Sequence, residues 1–107
     1  MKLFTKEIDK QLFAQYPKGA EMGNQKVVAK IFDPIGNFKW FIMNSDPENP
    51  DYLWAIVKGF EIEMGSVSRS ELEETTGRLG FYLERDLGFS PTNAKEIWDK
   101  LMKGEHV

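Results

Sequence analysis

Apolar residues recur at helical spacing near both ends of the chain. The first set follows Thr5, a residue able to cap a helix, and Pro17 ends it. Its apolar members are Ile8, Leu12, Phe13 and Tyr16. The second set follows Ser90 as the cap and Pro91 at the first helical position, where the missing N–H costs nothing. Its apolar members are Ala94, Ile97, Trp98, Leu101 and Met102, with Gly104 after them. The spacing therefore predicts an N-terminal helix and an amphipathic C-terminal helix.

Segments rich in β-branched and aromatic residues lie between these helices. They predict strands over residues 26–32, 38–43, 52–57 and 60–64. In the last strand Phe60, Ile62 and Met64 alternate with Glu61 and Glu63, so we expect the apolar side chains to face the core and the glutamates to face water. The short connections between successive strands favour an antiparallel meander.

Turn and capping signals complete the predicted order of elements. The stretch 44–51 is rich in Asn, Asp and Pro, which predicts a loop. Ser68 and Glu71 form an S-x-x-E capping-box pattern, which predicts a short central helix that ends at Gly77. Residues 81–83 read as extended chain or a short strand. The predicted fold class is α+β, with a four-stranded antiparallel sheet, an N-terminal helix, a short central helix and a C-terminal helix.

Composition limits the classes of protein that this chain can represent. With 107 residues, we expect one domain over residues 1–107. The absence of Cys excludes disulfides and thiolate metal sites, and the single His106 is too close to the terminus to serve a catalytic triad. No signal peptide is visible and no apolar run approaches the roughly 20 residues of a membrane span, so we expect a soluble, cytoplasmic protein that uses no membrane. No cofactor is predicted.

The net charge of -3 is unevenly distributed along the chain. Residues 1–45 carry seven lysines and four acidic residues, a net charge of +3, whereas residues 46–74 carry eight acidic residues, one lysine and one arginine, a net charge of -6. Residues 75–107 are neutral, with five residues of each sign. An acidic middle segment favours a basic partner or a divalent cation, although a solvated surface explains the same pattern.

Five charged residues are the candidates for a binding site. Glu61 and Glu63 project from the same face of a strand, with Cβ atoms roughly 6–7 Å apart, and are able to hold a divalent metal or to pair an acid with a base. Glu84, Arg85 and Asp86 follow an apolar patch. Arg85 between two acids is able to form an ion pair within the chain, or to bind a phosphate or a partner's carboxylate.

Several short motifs resemble a family of small bacterial proteins catalogued only as a domain of unknown function. The matching segments are 2–5, 33–34 with Trp40, 46–47, 59–61, 63–65, 70–73, 83–87, Phe89 and 91–92. Family members are encoded on plasmids, conjugative elements and phages, and occasionally on chromosomes. The resemblance therefore implies an accessory protein of mobile elements, without implying an activity. In the family the strand after the tryptophan commonly continues through Thr-Glu, whereas here residues 41–45 contain no carboxylate.

Three hypotheses for function follow. We favour a small regulatory or counter-defence protein that binds a protein partner through the acidic middle segment and the Glu84–Asp86 loop. A metal-assisted enzyme acting on phosphodiesters is the first alternative, with Glu61, Glu63, Glu84 and Asp86 as ligands. A nucleic-acid-binding module is the second, with Lys26, Lys30 and Lys39 as contacts. No residue is assigned a catalytic role.

Overall fold

The structure, a computed structural model, describes residues 2–76 and 78–107. Within these residues the α-helices are α1 (Lys6–Gln15), α2 (Arg69–Glu74) and α3 (Ala94–Met102), and short 3-10 helices cover Tyr16–Lys18 and Arg78–Gly80. The strands are β1 (Lys26–Val27), β2 (Ala29–Phe32), β3 (Lys39–Asp46), β4 (Asn49–Lys58), β5 (Ile62–Ser68), β6 (Glu84–Arg85) and β7 (Thr92–Asn93). No helix in the described part of the chain is long and apolar enough to cross a membrane.

The main sheet has five antiparallel strands in the order β5-β4-β3-β2-β6, and β1 pairs with β7 in a separate ribbon. The predicted α+β class and the meander from β2 to β5 are confirmed. The fifth strand, β6, was not predicted as part of the sheet. It is only two residues long, and it joins the sheet because Glu84 and Arg85 pair with Phe32 and Ile31. Residues this distant along the chain leave no local signal of their pairing.

The two faces of the sheet carry different helices. The face that we call the α1 face packs against α1 and α2, and its buried members include Leu12, Ile42 and Leu72. The opposite face, the α3 face, packs against α3 and includes Phe41 and Ile97. Both layers are apolar, so the sheet is buried in the middle of the molecule and its long edges are left at the surface.

The predicted helix caps of α1 and α2 are confirmed. The Thr5 hydroxyl accepts a hydrogen bond from the Ile8 amide at 3.2 Å, and the Ser68 hydroxyl accepts one from the Glu71 amide at 3.2 Å. Each bond satisfies an amide that the first helical turn leaves without a backbone partner. The predicted end of the second helix at Gly77 lies outside the described residues.

The predicted loop over residues 44–51 is wrong, because strands β3 and β4 continue through most of it. Only Pro47 and Glu48 form the turn, in which the Asp46 carboxylate accepts a hydrogen bond from the Glu48 amide at 2.9 Å. This hairpin is tight, since its two strands remain paired up to Asp46 and Asn49. The composition of residues 44–51 is typical of a loop, but contacts with distant residues keep most of them in strands.

Buried polar partners explain why the strand continues. Asn44 and Ser45 are fully buried. The Asn44 amide group donates to the Gly19 carbonyl at 2.9 Å and to the Gln25 side-chain oxygen at 3.0 Å, while the Ser45 hydroxyl donates to the Tyr52 carbonyl at 2.7 Å. Such partners offset the cost of burying polar groups.

The strand predicted over residues 60–64 begins later and is longer than expected. It is β5, Ile62–Ser68, and Phe60 lies in the preceding turn. In that turn the Gly59 amide donates to the Glu61 carbonyl at 3.0 Å. Phe60 is 98% exposed, which corrects the expectation that it faces the core. Ile62 and Met64 do pack against the core on the α3 face.

The start of the last helix is also corrected. Ser90 does not cap it and Pro91 is not its first residue, because α3 begins at Ala94. The Asn93 side chain is the cap and accepts from the Glu96 amide at 3.2 Å. Pairing of Thr92–Asn93 with Lys26–Val27 keeps the preceding residues extended and divides the predicted strand 26–32 into β1 and β2.

Residues 81–83 do not form a strand. Tyr82 makes a single bridge to Thr76, and the regular pairing begins only at Glu84. At the other end of the molecule, the stop of α3 at Gly104 is confirmed, since Gly104 adopts a positive φ of 78° that glycine tolerates best.

Candidate functional site

Glu61 and Glu63 lie at one edge of the main sheet. Glu63 pairs with Val57 of β4, a residue packed on the α1 face, and its side chain is exposed. Both glutamates line a shallow groove of about 350 Å³ together with Phe60. Their predicted exposure to solvent is confirmed.

Glu84, Arg85 and Asp86 lie at the opposite edge, in and after β6. Asp86 forms an ion pair with Lys30 at 3.3 Å, and its carboxylate also accepts from the Gly88 amide at 2.9 Å. The Arg85 guanidinium donates to the Leu3 carbonyl at 2.9 Å and to the Lys2 carbonyl. Arg85 therefore ties the N-terminal segment to the edge of the sheet.

The structure does not bring the two groups of candidates together. Strands β4, β3 and β2 separate β5 from β6, and four strand spacings amount to about 19 Å. Among residues 2–76 and 78–107, no three His, Cys, Asp or Glu side chains are placed to hold one metal ion. The four carboxylates of the metal-assisted hypothesis therefore do not form a single site.

A groove of about 740 Å³ lies beside Glu84, and we call it the apolar groove. Its lining residues come from the N-terminal segment, the end of α2 and the chain before β6: Lys2, Leu3, Glu73, Glu74, Phe81, Tyr82, Leu83 and Glu84. Phe81 is 52% exposed and Tyr82 is 64% exposed, whereas Leu83 between them and β6 is buried. The groove thus combines exposed aromatic rings with a carboxylate rim.

A family model described as "Protein of unknown function (DUF2958)" matches residues 3–105, nearly the whole chain. The chain belongs to this family. This confirms the resemblance to a domain of unknown function. Comparisons with curated proteins and with solved structures each find no match.

The apolar groove of this DUF2958 protein was not predicted, although part of its signal is visible in the sequence. Four of the residues from Leu79 to Leu83 are large and apolar, yet they fit neither a helical nor an alternating pattern. The adjacent Leu79 is 82% exposed and has a positive φ of 63°, which is rare for a branched side chain. The carboxylates of α2 are distant in sequence from Glu84, so their convergence on the groove required the structure.

Arg69 organises a second charged cluster on the α1 face. Its guanidinium pairs with Asp9 at 2.8 Å and donates to the Pro50 carbonyl at 2.7 Å. Near it, Asp51 accepts from the Ser70 amide at 2.9 Å and from the Ser68 hydroxyl at 2.9 Å. The Ser70 amide is the main cause that lowers the pKa of Asp51 below its ordinary value, followed by the Ser70 and Ser68 side chains. These contacts hold α2 against the β3–β4 hairpin.

The lysines of the nucleic-acid hypothesis are divided between two sheets. Lys26 lies in the β1–β7 ribbon, whereas Lys30 and Lys39 lie in the main sheet. Lys30 pairs with Asp86, and the Lys39 ammonium donates to the Val107 main-chain oxygen at 2.9 Å and lies 3.4 Å from the ring of His106. Burial, followed by the charge of Lys30, lowers the pKa of Lys39. Lys30 and Lys39 are therefore neighbours on the main sheet and each has a contact within the chain, whereas Lys26 lies in the other sheet.

Proposed function

We propose that this DUF2958 protein acts in the cytoplasm by binding a protein partner through the carboxylates and exposed rings of the apolar groove. The observation that carries the proposal is the exposure of Phe81 and Tyr82 beside Glu73, Glu74 and Glu84. Exposed apolar patches rimmed by polar residues mark interaction sites, and aromatic residues are frequent energetic centres of interfaces.

Charge indicates the chemistry of the partner. Among the described residues that line the groove, three are carboxylates and one, Lys2, is basic. A partner with an apolar side chain flanked by lysine or arginine complements both features. Complementary charge also accelerates association, so binding is expected to weaken as the salt concentration rises.

Arg85 holds one wall of the apolar groove in place. By holding the carbonyls of Lys2 and Leu3, it fixes the N-terminal segment that forms one wall. We therefore assign Arg85 a positioning role. Of the two acids at β6, Glu84 is the one that faces the partner, while Asp86 is engaged by Lys30.

The biological setting is a proposal that rests on the family resemblance. Proteins of this kind on plasmids, conjugative elements and phages are accessory factors, and a small acidic binding protein fits regulation or counter-defence. In the counter-defence form, the partner is a subunit of a host nuclease complex and the groove blocks one of its basic surfaces.

Single substitutions in the groove test the proposal. Phe81→Ser and Tyr82→Ser should abolish capture of a saturable partner from host lysate, and Glu73→Lys should weaken the capture and reduce its salt dependence. Met102→Ser is the matched control, because Met102 is an apolar side chain 60% exposed on α3. Equal capture by all four variants, with unchanged melting temperatures, would exclude the groove as the binding surface.

A further inference from the structure

Strand β5 forms one edge of the main sheet and has an unoccupied side. It runs from Ile62 to Ser68 and pairs with β4, and in the described part of the chain no strand lies beyond it. In an antiparallel strand, alternate residues direct their N–H and C=O groups away from the partner strand. An exposed edge of seven residues therefore offers a row of backbone donors and acceptors to another chain.

The side chains of β5 differ between the two faces of the sheet. On the α1 face, Glu63 stands at the edge beside Val57, and Glu61 lines the same groove. On the α3 face, Ile62 and Met64 are only partly buried against the core. An added strand would place its residues alternately beside the glutamates and beside these apolar side chains.

An aromatic contact lies at the start of the edge. Phe60, 98% exposed, stacks edge-to-face on Phe38 with ring centroids 5.4 Å apart. Its ring, Val57 and the glutamates line the shallow groove of about 350 Å³. An apolar side chain at the end of an added strand would find a contact surface here.

The negative charge of the β5 edge determines which kind of strand can bind there. Carboxylates on an edge strand disfavour pairing with acidic or neutral strands, and the same carboxylates favour a strand that places a cation opposite them. A second copy of this chain would add two more glutamates, and residues 62–68 contain no lysine or arginine to neutralise them. A basic segment of another protein places cations opposite the glutamates, which a second copy of β5 does not.

We propose that the β5 edge binds an extended, basic segment of a protein partner by strand addition. Lysine or arginine of that segment pairs with Glu63, its alternate apolar residues cover Ile62 and Met64, and its backbone bonds to the outer groups of β5. This surface shares no lining residue with the apolar groove, whose one strand residue, Glu84, belongs to the opposite edge strand β6. An experiment can therefore refute the strand-addition proposal without refuting the proposed role of the apolar groove, and the reverse.

The test uses the full chain and a synthetic peptide of alternating valine and lysine with blocked ends. Backbone amide NMR should show shifts and slowed hydrogen exchange at residues 62–68 on titration. The same peptide, N-methylated on alternate residues so that its pairing edge cannot donate, should bind at least about tenfold more weakly. Equal binding by the N-methylated peptide would overturn strand addition.

A charge exchange tests the assigned pair. Glu63→Lys should weaken the lysine peptide about three- to tenfold and strengthen a peptide with glutamate in place of lysine. Glu105→Lys is the matched control, since Glu105 is an exposed acid outside the sheet. Unchanged preference in Glu63→Lys, or shifts confined to residues outside β5, would refute the assignment. Exchange protection of β5 that rises with protein concentration without peptide would instead identify a second copy as the occupant.

Discussion

Replacing Arg69 by alanine should destabilise the fold more than any exposed charge substitution. The guanidinium pairs with Asp9 of α1 at 2.8 Å, donates to the Pro50 carbonyl at 2.7 Å and lies 4.4 Å from the centroid of the Phe4 ring. Its other nitrogen is 3.4 Å from the Ser45 hydroxyl. One side chain therefore connects α2 to the N-terminal segment, to α1 and to the β3–β4 hairpin.

The magnitude follows from burial. The Arg69 side chain is 13% exposed and that of Asp9 is 28% exposed, so solvent screens the pair only in part. Hydrogen bonds to charged groups contribute about 1.5–3 kcal/mol each, and removing one partner of a buried pair costs about 3–5 kcal/mol. Because Asp9 regains water when Arg69 is removed, we expect a loss of about 3 kcal/mol in unfolding free energy. For a domain of this size the melting temperature should fall by roughly 12–18 °C.

Urea unfolding of Arg69→Ala, Asp9→Ala and the double variant measures the effect. The double-mutant cycle should give a coupling energy of about 1–2 kcal/mol. Arg69→Lys should recover part of the loss, because it keeps the charge without the planar fork. Lys95→Ala is the control: its pair with Asp99 spans one helical turn, its side chain is 54% exposed, and it should cost less than about 0.5 kcal/mol. A loss below about 1 kcal/mol in Arg69→Ala, or zero coupling, would refute the reasoning.

Three further predictions follow from local contacts. Asn93→Ala should cost about 1 kcal/mol in unfolding free energy and Ser90→Ala close to nothing, since Asn93 is the cap of α3; equal costs would contradict this assignment. Gly59→Ala should cost about 1–2 kcal/mol, because the new Cβ would lie 2.7 Å from an aromatic ring, whereas Gly23→Ala meets no atom within 4 Å and should be tolerated in the same urea assay. The lowered pKa of Asp51 implies stability that is present above its ordinary value of 3.8 and is lost as the pH falls through the folded-state pKa. Urea midpoints from about pH 5 to about pH 3 should therefore fall more steeply in the wild type than in Asp51→Asn. Parallel curves would show that the Asp51 carboxylate does not contribute to this pH dependence.

Local signals in the sequence predicted the elements whose stabilising contacts are also local. The α1 cap at Thr5 and the α2 cap at Ser68 each involve a partner three residues away. The meander from β2 to β5 follows from short connections between β-rich segments. In each case the residues that determine the structure are close together in the sequence.

The errors arose where distant residues decide the structure. The β3–β4 hairpin replaces a predicted loop because the buried side-chain nitrogen of Asn44 donates to Gly19 and Gln25. The start of α3 moves to Ala94 because residues 92–93 pair with residues 26–27. Propensity favoured the alternative in both places, and tertiary hydrogen bonds outweighed it.

The same limitation applies to the candidate site. The metal-assisted hypothesis grouped Glu61, Glu63, Glu84 and Asp86 as ligands, and only the strand order reveals that β5 and β6 are opposite edges. The exposure of Glu61 and Glu63 followed from alternation, which failed at Phe60, whereas convergence depends on topology. The aromatic residues of the apolar groove lacked a periodic pattern, and for that reason their exposure was not predicted.

Two acidic and apolar surfaces at opposite edges of one sheet make the number of partners measurable. The edge strands β5 and β6 lie about 19 Å apart, and if one partner binds both the apolar groove and the β5 edge, each surface raises the effective concentration at the other. Tyr82→Ser would then reduce overall affinity by a factor of about 10²–10⁴, and the remaining binding would depend on Glu63. If two partners bind, Tyr82→Ser leaves the affinity for the β5 ligand unchanged. Affinities measured for the Tyr82 and Glu63 variants, singly and together, therefore distinguish a single bridging partner from two independent ones.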